Sequence, residues 1–281
     1  MAVDKFIVAF DVDGTVVIGN ESVDRELIEL IQLVKSMGHI VTLITGRLPS
    51  GMVLQAEEMD ISKNVLCAGG DGGSLYRWMG NKFVKQDVKT MSCDKLSEIM
   101  MEFEPPGIVL KSDSLETVGR GPALLTHLAR ITSPNISDLI SWREVDFTQD
   151  ITGLRFLLPS GKHGAFIKTL EDYTENQVEF YRGEDFDNSL TGISIKKPGT
   201  SKGTAMIEIA RDAGIDPEML FAAGDWVNDI PMLKVAKYSY CPSDSSSRVR
   251  ESAKTVVGMT SKQNWACEAL RHFCREVLGV L

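Results

Sequence analysis

The sequence predicts an α/β protein, an open parallel sheet interrupted by a separate α+β unit. Three observations carry this. Short apolar runs alternate with helical patterns from residue 6 onward, the alternation breaks near residue 83, and it resumes near residue 200. Strand–helix–strand alternation is the mark of a parallel sheet with helices on its faces.

"FIVAF" (6–10) reads as the first buried strand. "SVDRELIELIQLVKSMG" places Leu27, Leu30, Ile31, Val34 and Met37 on one face, and Gly38 stops it, which predicts an amphipathic helix. "HIVTLIT" reads as a second strand ending at Thr45, "PSGMVLQAEEM" as a helix and "NVLCAGG" as a third strand of the same sheet. "GGDGGSLYRW" and "NKFVKQ" then read as hairpin material. "CDKLSEIMMEF" has a helical period. "GIVLKS", "ITGLRFLLPS", "QVEFYRG" and "LTGISIKK" read as strands, with helices beginning near Pro122 and His163 among them. From Thr200 the first pattern returns: helix "SKGTAMIEIARDAG", strand "EMLFAAGD", helix "NDIPMLKVA", strand "YSYCP", then "SSSRVRESA", "KTVVGM" and "WACEALRHFCREVL" as helix, strand and helix. The chain therefore divides into a core, residues 1–82 with 196–281, and an insert, residues 83–195.

Of the 281 residues, 43% are hydrophobic and 25% charged, an ordinary balance for a soluble globular protein, so neither disorder nor a membrane protein is the default reading. The longest apolar runs, such as "MLFAA" and "HIVTLIT", are too short to span a bilayer. "MAVDKF" has no basic region followed by an apolar stretch, so no secretory signal is expected. Five cysteines (Cys67, Cys93, Cys241, Cys267, Cys274) with no C-x-x-C pair read as reduced thiols in a cytoplasmic protein. Cys267, Leu270, Cys274 and Val277 share one helix face and form a core stripe rather than a reactive site. A net charge of −9 without a basic tract argues against nucleic acid as a partner, and no obligate protein partner is indicated.

Ligands in an open parallel sheet sit beyond the carboxyl ends of the strands. Asp11 and Asp13 fall just past the first strand, Thr45 ends the second, and "AGDWVND" puts Asp225 at the end of a later one with Asn228 and Asp229 opening the next helix. The fold brings these distant residues to one edge. Converging carboxylates are costly unless a cation neutralises them, and all-oxygen ligation by hard carboxylates suits Mg²⁺. A carboxylate can attack phosphorus, and a second one two residues on can protonate the leaving oxygen and later deprotonate a water. A hydroxyl (Thr45), an ammonium (Lys202) and backbone N–H groups of "DGT" are suited to hold the remaining phosphate oxygens.

"DVDGT" (11–15), "TGR" (45–47), "KPGTSKG" (197–203) and "GDWVNDIPM" (224–232) resemble, in order and spacing, the four motifs of the haloacid dehalogenase-like phosphatase superfamily. The insert between the second and third is similar to the large α/β cap of its Cof-type, sucrose-phosphatase-like branch. The resemblance implies a Rossmann-like core with an inserted cap that closes over the substrate and sets selectivity. It implies Mg²⁺-dependent hydrolysis of a small phosphorylated metabolite, most plausibly a sugar phosphate, through an aspartyl-phosphate. By motif, Asp11 resembles the nucleophile and Asp13 the general acid/base. Thr45 and Lys202 resemble the phosphate-binding pair. Asp225, with Asp11 and the carbonyl of Asp13, resembles the metal site, and Asp229 a supporting acid. Gly14, Gly46, Arg47 and Asn228 stand where the phosphate is bound, with Asn228 resembling a contact of either the phosphate or Lys202. One departure is the loop after the third strand, where relatives often read "NGA" and this chain reads "GGDGG" (69–73), which bears on substrate identity.

Each residue also has a plainer role open to it. The aspartate pair can cap a turn, Thr45 can bond the backbone, and Lys202 can be an exposed first-turn lysine, though a cation there opposes the helix dipole. Asp225, Asn228 and Asp229 can form an N-cap. Arg47 can reach the substrate or pair with a surface acid. In the insert, Lys111, Arg120, His127 and Arg182 are polar candidates for substrate contact. Two rival functions stand beside hydrolysis. A phosphosugar mutase of the same superfamily usually carries a longer, glycine-containing metal motif than "GDWVND". A non-catalytic phosphometabolite-binding protein should have lost a nucleophile, acid or metal ligand, and this chain keeps all of them by type.

Overall fold

A computed structural model describes residues 5–19, 22–91, 98–99, 102, 108–111, 116–119, 138–139, 152–159, 164–174, 179–185 and 190–281. The chain divides into two compact units, Met1–Asp87 with Ser201–Leu281, and Val88–Thr200.

The first unit opens with β1 (Ile7–Phe10), α1 (Arg25–Ser36), β2 (Ile40–Leu43), α2 (Val53–Glu58), β3 (Leu66–Gly69), β4 (Ser74–Trp78) and β5 (Phe83–Val88). The second contains β6 (Ile108–Lys111), β7 (Glu116–Gly119), β8 (Asp138–Leu139), β9 (Gly153–Pro159), α3 (Gly164–Thr174), β10 (Glu179–Asp185) and β11 (Leu190–Lys196). The chain returns to the first unit with α4 (Lys202–Ala213), β12 (Leu220–Ala223), α5 (Ile230–Val235), β13 (Tyr238–Pro242), α6 (Ser247–Ser252), β14 (Thr255–Val257) and α7 (Trp265–Glu276).

The central sheet has the order β14-β13-β12-β1-β2 and is parallel throughout. Its inner strands β1 and β12 are buried on both faces, as their unbroken apolar runs require, while the edge strand β14 leaves Val256 exposed. Successive side chains point to opposite faces. Val8, Phe10, Val41, Leu43 and Phe221 pack with α1 and α7. Ile7, Ala9, Leu220, Ala222 and Cys241 pack with α4, α5 and α6. Local signals set the helix ends. The Asp24 carboxylate accepts from the Glu26 N–H at 2.8 Å before α1, and Ser201 with Thr204 closes a capping box before α4. Gly214 ends α4 in the left-handed conformation, φ +66°.

Two expectations need correction. The third strand does not extend the parallel sheet as a full member. A single bridge, Ile44 to Ala68, joins it to the end of β2, while β3 pairs antiparallel with β4 in a separate sheet of order β3-β4-β5. The turn Gly70–Gly72 sends the chain back along β3 and so makes the β3–β4 hairpin. The helix expected over 49–59 begins later. Pro49–Gly51 forms a 3₁₀ turn, and the α-helix starts at Val53.

The second unit carries a six-stranded sheet, β10-β11-β9-β6-β7-β8, antiparallel except between β7 and β8. The helix expected near Pro122, most of the one over 93–103, and Arg120 and His127 lie outside the described residues. Lys111 ends β6 and Arg182 lies within β10, their side chains outside what is described. Cys67, Cys241, Cys267 and Cys274 are free and buried, while Cys93 lies outside the described residues. Among the described residues no helix is long and apolar enough to cross a membrane.

Candidate active site

The carboxyl ends of β1, β2 and β12 meet the start of α4. Asp11 follows β1 directly, its N–H bonded to the Ala223 carbonyl at 3.0 Å, so the ends of β1 and β12 are pinned together. Lys202 is the first residue of α4 and fully buried, which rules out the exposed first-turn lysine. Its Nζ donates to Asp11 Oδ1 at 2.5 Å and to Asp229 Oδ1 at 2.6 Å. The other oxygen of Asp229 accepts the backbone N–H groups of Asp225 and Trp226 at 3.0 and 2.9 Å. Asp229 is thus an internal cap that folds the "GDWVND" turn around itself. Gly224 lets it do so, because a Cβ there would lie 2.5 Å from Asp229 Cγ.

One oxygen from each of Asp11, Asp225 and Asp229 can be chosen so that all lie within 4.8 Å of one another. This donor set fits a small, hard divalent cation. Burial dominates the electrostatics. It pushes Asp11 well above the ordinary carboxylate range, against the opposing pull of Lys202, with Asp229, Asp225 and Asp13 adding to the rise. It pushes Asp225 up to about 8, with Asp229 adding to it. Burial alone would lower the Lys202 ammonium, but Asp11, Asp229 and Asp71 outweigh it and hold the group charged, above its usual range. One ammonium among three carboxylates leaves the cluster short of positive charge, which a proton or a metal ion supplies.

Residues 12–17 form a compact turn. The N–H of Gly14 donates to the Val17 carbonyl at 3.0 Å and that of Thr15 to Val12 at 3.2 Å. The expected phosphate cradle of "DGT" amides is therefore closed on itself at these two positions. Gly14 serves through its shape instead. Its φ is +76°, and a Cβ would fall 2.3 Å from Asp225 Oδ2, so only glycine lets the turn approach that carboxylate.

Thr45 is fully buried at the end of β2. Its N–H donates to Ala68 and its carbonyl accepts from Asp71, at 2.9 and 2.8 Å. Its hydroxyl accepts the Arg47 N–H at 3.2 Å, which leaves the hydroxyl proton to donate. Of the two roles open to Arg47, the structure shows the pairing with an exposed acid, and that acid is Asp13. Nε and Nη2 reach its two carboxylate oxygens at 3.0 and 2.6 Å. The carboxylate of Asp13 thus pairs with Arg47 and is not one of the three that converge, although its charge is felt at Asp11 and Asp225.

Sequence reasoning missed one residue. Asp71, the lone acid among the glycines of 69–73, is buried at φ +56°. Its Oδ1 accepts from Asn228 Nδ2 at 2.8 Å, and its charge supports that of Lys202. The Asn228 amide is thereby drawn to Asp71 rather than to Lys202, and its Oδ1 is buried without a partner among the described residues. Gly46 makes room for Asp71, since a Cβ there would lie 2.9 Å from Asp71 Oδ1. An acid set between glycines just past a strand was the available signal.

The family model for the haloacid dehalogenase-like hydrolases matches residues 8–264, and the chain belongs to that family. A phosphoglycolate phosphatase of Thermoplasma volcanium is 24% identical over 250 residues, covering 89% of this chain and 90% of its own. A 5-amino-6-(5-phospho-D-ribitylamino)uracil phosphatase of Bacillus subtilis is 23% identical over 278 residues, covering 96% of each. Among solved structures, the subclass IIB sugar phosphatase BT4131 superposes with a TM-score of 0.75 at 15% identity, over 96% of this chain and 99% of that one. The phosphatase-superfamily member BT1666 of Bacteroides thetaiotaomicron superposes with a TM-score of 0.74 at 20% identity, over 96% and 95%. These likenesses define the Cof-type fold of the family.

Proposed function

We propose that this chain, a phosphatase of the haloacid dehalogenase-like family, hydrolyses a small phosphorylated metabolite of the sugar-phosphate class through an aspartyl-phosphate on Asp11. The observation that carries the reading is the buried Asp11–Lys202–Asp229 chain beside Asp225, at the carboxyl ends of the strands. Relatives named as phosphatases of phosphoglycolate and of a phosphoribityl compound support the substrate class.

Lys202 holds the Asp11 carboxylate by one oxygen, which leaves the other to attack phosphorus. The P–O ester bond breaks as the Asp11–phosphorus bond forms, and Asp13 gives its proton to the leaving oxygen. Asp13 then takes a proton from the water that attacks the aspartyl-phosphate, which returns Asp11 and releases inorganic phosphate. In this reading the Thr45 hydroxyl and the Lys202 ammonium donate to the phosphoryl oxygens. Mg²⁺ held by Asp11, Asp225 and the Asp13 carbonyl, with Asp229 in support, would offset the repulsion between nucleophile and phosphate. The second unit, compact in its own right, is assigned substrate selection, and the interior thiols fit a cytoplasmic setting.

The test is phosphate release with and without Mg²⁺ across sugar phosphates, phosphoglycolate, nucleotides and pyridoxal phosphate. Mg²⁺-dependent release confined to one group names the substrate class. Asp11→Asn should abolish turnover with the fold intact, and a folded variant that still turns over normally removes Asp11 as nucleophile.

A further inference from the structure

Arg47 is nearly buried, its side chain 6% exposed, while the side chain of its partner Asp13 is 54% exposed. Two donors, Nε and Nη2, meet the Asp13 carboxylate as a fork, at 3.0 and 2.6 Å. A third, Nη1, is anchored to the Gly51 carbonyl at 2.9 Å and to Gln55 Oε1 at 3.4 Å. The guanidinium is braced from behind by the Pro49–Gly51 turn and α2, and it presents a fixed face to a carboxylate on a turn open to solvent. A planar fork clamped on one side permits the carboxylate one orientation, where a lone half-exposed aspartate would sample several. A nearly buried guanidinium needs a counter-charge, and here the counter-charge is a carboxylate on an exposed turn two residues from Asp11.

We propose that Arg47 is a positioning residue for the proton transfers made by Asp13, fixing where that carboxyl points rather than binding the phosphate itself. The proposal rests on the phosphatase reading above. It accounts for the burial of an arginine beside the site and for the 3₁₀ turn at Pro49–Gly51, which supplies the carbonyl that anchors it. Nothing in it requires Arg47 to touch substrate.

Leaving-group chemistry tests it. An alkyl phosphate needs a proton on its departing oxygen, whereas p-nitrophenyl phosphate expels a stable phenolate and needs little help. Because kcat/KM covers only the steps up to departure of the alcohol, it excludes hydrolysis of the aspartyl-phosphate. Arg47→Met should lower kcat/KM for glucose 6-phosphate or another alkyl ester the wild type accepts by at least about 10-fold more than for p-nitrophenyl phosphate, within the range of acid–base contributions. Inhibition by inorganic phosphate should stay within about twofold of wild type, because the phosphate's own contacts are untouched. Arg47→Lys keeps the charge without the fork. It should show the same selective loss in smaller degree, and it serves as the probe if the methionine variant fails to fold. In an Asp13→Asn background, Arg47→Met should have no further effect on the alkyl ester. Equal losses on both esters, or weakened phosphate inhibition, would overturn the proposal and make Arg47 a phosphate ligand or a purely structural residue. Wild-type turnover reports on the hydrolase reading and the ratio between esters on Arg47, so the two ideas fail separately.

Discussion

The indole N–H of Trp265 donates to the carbonyl of Gly14 at 2.8 Å. The first residue of the last helix thereby fixes the turn that follows the first strand. Trp265→Phe keeps most of the buried ring but leaves a carbonyl without its donor, a loss of about 1–3 kcal/mol. The expected result is a lower Tm together with a several-fold lower kcat, read by thermal denaturation and phosphate release. A lower Tm with kcat unchanged would confine Trp265 to packing.

Lys202 joins Asp11 to Asp229 in the interior. Lys202→Met removes the only ammonium from that pair and leaves buried carboxylates facing one another. Breaking a buried ion pair from one side costs about 3–5 kcal/mol, so denaturant unfolding should show a loss of that size, with activity abolished. Added Mg²⁺ should recover part of the lost stability. A variant as stable as wild type would mean that the cluster is held mainly by protons.

Asp225 shifts from an ordinary value of 3.8 to about 8 on folding. Between those values the folded, metal-free chain binds more protons than the unfolded one, so its stability falls as pH rises through the window. A metal ion competes with that proton. The rise in Tm produced by Mg²⁺ should therefore be larger near pH 8.5 than near pH 6, measured on protein first stripped with a chelator. Equal shifts at both pH values would show that no Asp225 proton is displaced.

Asp71 adds a buried negative charge beside Lys202. Asp71→Asn retains a side chain at ease with positive φ and removes the charge. Inorganic phosphate should then inhibit about 3- to 10-fold more tightly, an effect of roughly 1 kcal/mol for one charge. Unchanged inhibition would place Asp71 outside the reach of the phosphate. Asp71→Ala should cost about 1–3 kcal/mol of stability through backbone strain and the lost Asn228 bond.

The sheet was legible because each of its strands is an apolar run with its own flanking turn, and periodicity is a local property of the chain. Asp11, Lys202 and Asp225 could be placed at one edge because a parallel sheet puts its strand ends there. Their internal pairings could not. That Asp229 would turn one oxygen to Lys202 and the other to two backbone amides depends on a turn geometry that spacing does not specify. Asp71 was hidden for a related reason, since its left-handed backbone is selected by close packing at Gly46 and Gly72 and not by its own type. Arg47 had its identity written in the chain but not its direction, which is set by an anchor on the Gly51 carbonyl. The antiparallel pairing of β3 with β4 follows from a glycine turn, whose handedness no apolar pattern records.

β1 sits between β2 and β12 in the central sheet, yet Leu220 follows Phe10 by 210 residues. On a ribosome adding roughly 5–20 residues per second, one edge of β1 waits about 10–40 s for its partner. Over that interval a fully apolar strand presents open hydrogen-bonding groups, the situation in which nascent chains aggregate or recruit chaperones. The six strands of the second unit, by contrast, are all synthesised before β12 emerges. Vectorial synthesis thus completes the inserted unit first, and the sheet that carries the aspartates closes only as the last third of the chain arrives.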